Sequence, residues 1–166
     1  MKTSMIFSGS VLLAGALFAT AAQAQDAKAG DLAISLAWCR AMPAQSDANC
    51  YVTIENKGAA AERLTGISAD IADKAEVRQI NTASGGLTDK PVAGGLPISA
   101  GDKVALAPGG YHLVLLNTKA ALKKGAKQVI NMEFEKAGKT AVSFDVLPAT
   151  SKGPPAPKAD STMMKK

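Results

Sequence analysis

Tyr111-His112-Leu113-Val114-Leu115-Leu116-Asn117 is apolar on both faces of an extended chain. Residues two apart on a strand share a face, so His112, Val114 and Leu116 point one way and Leu113 and Leu115 the other. A strand apolar on both sides belongs in the middle of a sheet, covered above and below. Pro108-Gly109-Gly110 sets a turn just before it. Shorter runs with the same period of two lie outward from this one. Ile34, Leu36 and Trp38 share a face of one stretch, and Cys50, Val52 and Ile54 share a face of the next. Val104 with Leu106, Ile130-x-Met132-x-Phe134 and Val142-x-Phe144-x-Val146 repeat the pattern. Asn56-Lys57-Gly58, Gly85-Gly86, Gly94-Gly95 and Ala137-Gly138-Lys139 break the runs apart. Short strands divided by turn residues predict an all-β chain, an antiparallel sandwich or Greek-key barrel. Residues 69–75 are the one stretch with the character of a helical turn.

The ends read differently from the middle. Lys2 is followed by an uncharged, apolar run from Met5 to Ala22, and Ala22-Gln23-Ala24 offers small residues where a signal peptidase reads. Residues 1–24 are therefore read as a cleaved signal peptide, which places the mature protein in the periplasm. No cysteine stands at the cut, so the pattern does not indicate a lipid anchor. No other stretch is long and apolar enough to span a bilayer. The mature chain keeps 142 residues (166 minus 24) and a formal charge of +4, since Lys2 leaves from a total of +5. That is one domain, assigned to residues 25–148. From 149 to 166 the chain carries Pro154, Pro155 and Pro157 among Lys, Ser and Thr, with no apolar period, and reads as a disordered tail. Basic residues are scattered, without the aromatic-interleaved runs of a nucleic-acid surface.

Chemistry-bearing residues are few. His112 is the one histidine. No nucleophile elbow, zinc-protease helix or phosphate loop occurs, so the residue inventory argues against an enzyme. Cys39 and Cys50 are the two cysteines. In an oxidising compartment the expected state is a disulfide, and a pair of soft metal ligands is the alternative. Trp38 and Tyr111 read as packing residues, and Met163-Met164 as the end of the tail or as extra ligands reaching towards His112.

Three blocks carry a family resemblance. Ala37–Ala44 with Tyr51–Gly58, the stretch from Lys90 to Asn117, and Lys123–Gly138 resemble the periplasmic copper chaperones called PCu(A)C. The most specific piece is Leu-x-Pro-Gly-Gly-Tyr-His-Leu-x-Leu-Leu at residues 106–116, and the likeness runs from about Ala33 to Val146. It implies a cupredoxin-like sandwich that carries one Cu(I) at its surface and passes it towards a cytochrome oxidase copper-assembly protein or another envelope protein.

The family ligands are a His, a Met and a His-x-Met pair, soft and borderline donors suited to Cu(I). Carried onto this sequence, the first His falls at Arg78 with a nearby Met position at Ile80, the next Met falls near Asp89, and the His-x-Met pair reads His112 and Val114. One ligand is kept. Arginine does not ligate Cu(I) and its charge repels a cation. The resemblance thus implies the fold with a degenerate site: Cu(I) weak or absent, with Arg78 and Asp89 free to form an ion pair where the metal would sit. A domain that binds a protein through the same face, without metal, is the alternative function.

Overall fold

The computed structural model describes residues 26–82 and 86–154. Eleven strands follow in order: β1 (Ala27–Ala29), β2 (Leu32–Arg40), β3 (Ala48–Asn56), β4 (Glu62–Ser68), β5 (Ala72–Asn81), β6 (Thr88–Pro91), β7 (Leu96–Ile98), β8 (Lys103–Leu106), β9 (Tyr111–Thr118), β10 (Lys127–Phe134) and β11 (Gly138–Leu147). Among the described residues there is no helix. The fold is all-β, and the strand path runs β6-β5-β9-β3-β2-β11-β10-β4-β7, with β1 on β2 and β8 on β3. Neighbours pair antiparallel except β2 and β11, which run parallel with Trp38 opposite Asp145.

The path wraps round one core. Ile34, Ile54, Leu64, Ile98, Leu113, Leu115, Ile130, Met132 and Phe144 are all buried there. The alternation in β10 and β11 is kept: Ile130, Met132 and Phe134 face inward, as do Val142, Phe144 and Val146. β9 lies between β5 and β3, with His112 to Leu115 buried in succession, so the chain apolar on both faces occupies the interior of the sheet. β8 and β9 both run antiparallel to β3, on successive parts of it, with the Pro108-Gly109-Gly110 turn between them.

Two local expectations fail. Ile34, Leu36 and Trp38 do not share a face. β2 carries a bulge between Ser35 and Trp38, and Leu36 takes φ +53 and is 47% exposed. One extra residue reverses the alternation, so Cys39 rather than Trp38 joins Ile34 in the core. The stretch 69–75 is no helical turn: a short turn at Asp70-Ile71 leads straight into β5, with the Ala72 amide donating to the Ala69 carbonyl.

Cys39 and Cys50 sit opposite each other in register on β2 and β3 and form a disulfide buried in the core. At one end of the sandwich Glu62 ties β4 to the β10–β11 turn. Its carboxylate accepts the backbone N–H groups of Arg63, Lys136 and Ala137. Beyond β11 the described chain continues through Pro148–Pro154 without further strand. The residues assigned to the signal peptide, and Pro155, Pro157, Met163 and Met164, lie outside the described residues.

Candidate metal face

Register alone brings the marked positions together. Arg78 on β5 lies directly opposite His112 on β9, Glu76 lies opposite Val114, and Ile80 lies opposite Asp89 on the edge strand β6. Leu113, the next residue after His112, pairs with Cys50 and with Val77 and joins the core. Alternation then turns His112, Val114, Arg78 and Glu76 to the outer side of the sheet. The disulfide sulfurs are on the inner side, so Cys39 and Cys50 are held away from His112, and they are bonded to each other.

A charged network occupies the outer side. The Arg78 guanidinium donates from Nε to the Asp89 carboxylate at 3.2 Å and from Nη2 to the Asp89 carbonyl at 2.9 Å. Its Nη1 donates to Glu76 at 3.2 Å, two residues back along the same strand. Glu76 in turn takes Lys74, again two residues away, at 2.5 Å. The Lys74 ammonium, with Arg78 beside it, holds the Glu76 carboxyl below its ordinary range against the opposing effect of burial. His112 is enclosed at the inner edge of this network, its Nε2 3.7 Å from the second Asp89 oxygen and its Nδ1 3.2 Å from the Gly110 carbonyl oxygen.

Next to His112 runs a row of aromatic groups. The Tyr51 ring centre is 6.5 Å from the imidazole and 4.5 Å from the Trp38 ring, and the Arg40 guanidinium carbon stands 5.5 Å over Tyr51. Trp38, Tyr51 and Val114 are buried yet stand apart from the main core cluster, so they form a second, outer cluster with His112. Burial pushes the Tyr51 hydroxyl up, with Arg40 pulling the other way.

Among the positions marked by the resemblance, the structure unites Arg78, Asp89 and His112 through side-chain contacts. Val114 lines the same face two residues on from His112. Sequence reasoning missed Glu76, although its spacing of two from Arg78 was the available signal. It missed Tyr51 and Arg40 as well, because the bulge in β2 decides their neighbours and has no clear mark in the sequence. As a donor set the face offers one imidazole, two carboxylates already bonded to cations, and a guanidinium. Cu(I) asks for thioether or thiolate sulfur and imidazole, so these residues do not fit it. Among the described residues no cluster of three or more His, Cys, Asp or Glu side chains could hold a metal ion, and no helix is long and apolar enough to cross a membrane.

The family model described as "Putative lipoprotein LpqE-like" matches residues 32–146. A curated relative, "Putative lipoprotein Lxx21020" of Leifsonia xyli subsp. xyli, is 27% identical over 125 residues, 75% of each chain. The apo PCuAC domain of PmoF1 superposes with a TM-score of 0.63 at 22% identity, covering 75% of this chain and 99% of that domain. The copper-bound PCuAC domain of PmoF2 gives 0.62 at 22% identity, covering 75% and 98%. Apo-DR1885 of Deinococcus radiodurans gives 0.53 at 21% identity, covering 90% and 100%. At these identities the likeness shows the fold, which is PCuAC-like.

Proposed function

The chain belongs to the LpqE-like lipoprotein family, and from that premise we propose that it is an exported, periplasmic copper-chaperone-like protein whose Cu(I) face is degenerate. The observation that carries the reading is the Arg78 guanidinium, bonded to Asp89 and Glu76 beside His112. A cation entering here meets a fixed positive charge and must break two ion pairs to reach the carboxylates. Those carboxylates are hard oxygen donors, a poor match for Cu(I) once freed. Val114 supplies no sulfur. The lone imidazole holds copper weakly and without selectivity.

Titration of the mature protein with Cu(I) against a competing chelator tests this. Binding should be no tighter than the chelator tolerates, and His112→Ala should leave the isotherm unchanged. Tight binding lost in His112→Ala would overturn the reading and turn attention to Met163 and Met164 as the missing ligands.

A second reading uses the same face for a protein partner without metal. The observation favouring it is the run of fixed, alternating charges Lys74, Glu76, Arg78 and Asp89 on one side of the β5–β6 hairpin, with Leu87 75% exposed at its tip. Charges held in place by each other keep their geometry for a partner of complementary pattern. Pull-down from envelope extract with the native chain and with Leu87→Asp separates the readings: a specific partner lost in the variant supports docking, and equal recovery with both speaks against it.

A further inference from the structure

β11 ends at Leu147, opposite Arg40 in the parallel pairing with β2. Past it the chain turns, with the Ser151 amide donating to the Pro148 carbonyl at 2.9 Å. The Ser151 carbonyl then accepts from Arg40 Nε at 3.2 Å. The same guanidinium stands over the Tyr51 ring, which leads on to Trp38 on one side and His112 on the other. Ser151, Gly153 and Pro154 are half-buried although no strand includes them.

We propose that Pro148–Pro154 is a strap, fastened by Arg40, that closes in cis a docking surface formed by the outer aromatic row of Tyr51 and Trp38. A segment without strand pairing stays half-buried only if it packs on something. Its fastening here is a single hydrogen bond of 3.2 Å from the Arg40 guanidinium to the Ser151 carbonyl. Arg40 is bound on two sides, by a carbonyl of the strap and by the face of Tyr51, so each contact holds the guanidinium in place for the other. Lifting the strap frees Arg40 from Tyr51 and opens the row. The surface fits an extended peptide segment that offers a backbone carbonyl to Arg40, as Ser151 does, and the occupant in this structure is the chain's own segment. The row ends at His112, so the strap controls access to one flank of the candidate face. In that respect the proposal rests on the reading of that face as a site, whereas the strap itself is tested without copper.

Trp38 is the sole tryptophan, so its fluorescence and its quenching by acrylamide report on this row directly. Five forms decide the matter: the mature chain, a chain ending at Pro154, a chain ending at Pro148, the mature chain with Arg40→Ala, and the Pro148-ended chain with Arg40→Ala. Ending at Pro154 should leave quenching unchanged. Ending at Pro148 should raise the quenching constant as the row opens locally. Arg40→Ala should shift the strap about five-fold towards its open form, the factor for one net hydrogen bond, and raise quenching in the same direction. Combined with the Pro148 ending, it should add nothing further. Unchanged quenching in both the Pro148-ended chain and Arg40→Ala would overturn the proposal, as would fully additive effects. Should the Pro148-ended chain fail to fold, judged by circular dichroism, the Arg40→Ala result in the mature chain decides alone. Tight Cu(I) binding by the native protein would remove the degenerate-site reading and leave these quenching results standing.

Discussion

A guanidinium with acceptors at Asp89 and Glu76 has little left to offer a ligand. The Arg78–Asp89 pair is partly exposed, and ion pairs of this kind contribute about 0–1 kcal/mol. Their effect is on geometry more than on stability: they fix which charges face solvent and keep β6 against β5. Position 78 was legible from the resemblance and position 112 from being the one histidine, while Glu76 could have been read from spacing alone. Elsewhere single residues do carry stability. Glu62 is buried and is bonded to three backbone N–H groups from two segments. Burial raises its carboxyl, but those bonds to Arg63, Lys136 and Ala137 outweigh it and the pKa is lowered. A lowered carboxyl pKa adds stability that is full above the unfolded value, about 4.3, and fades as pH falls through the folded value. Glu62→Ala should therefore cost about 2–4 kcal/mol at neutral pH, from buried donors left unpaired. Glu62→Gln should flatten the loss of stability below about pH 5. Denaturant melts at pH 7 and in acid measure both, and an acid slope equal in the Glu62→Gln and native chains would contradict the account.

At the scale of elements, alternation located β3, β8, β9, β10 and β11, because each keeps a regular pleat along its core-facing residues. It also found β9 as the interior strand, since only a strand covered on both faces tolerates Leu113, Val114 and Leu115 in succession. It misread β2. A bulge adds one residue to a strand and leaves no obvious trace when that residue is leucine rather than glycine, so Leu36 looked like core. It also read a helical character into the start of β5, whose Ala72, Asp73 and Lys74 have low strand propensity. Pairing with β9 at Thr118 and Leu116 decides that segment instead. The path ends at β6 and β7, each of which contains a proline, Pro91 and Pro97. Proline at a sheet edge removes a donor and discourages pairing with another chain, so further strand addition at either end is disfavoured.

For the molecule as a whole, the fold is PCuAC-like, and the outer face beside His112 is filled by charge. Export belongs to the same scale. Lys2, the uncharged run and Ala22-Gln23-Ala24 make the case for cleavage after Ala24. Intact mass of the periplasmic protein should match a chain starting at Gln25, and a mass retaining residues 1–24 would refute it. Both cysteines of the sequence are in the Cys39–Cys50 disulfide, which pins β2 to β3 immediately inside the face. Fold-level likeness says what the scaffold can support, and the side chains say what this chain does with it. The central proposal is that this PCuAC-like fold carries a degenerate Cu(I) face. It is tested most directly by Cu(I) competition titration of one variant, Arg78→His with Ile80→Met, Asp89→Met and Val114→Met, beside the native chain. The account predicts that the variant gains Cu(I) binding that His112→Ala then abolishes, while the native chain does not compete. A variant that folds yet binds no better than the native chain, or a native chain that already binds tightly through His112, would contradict it.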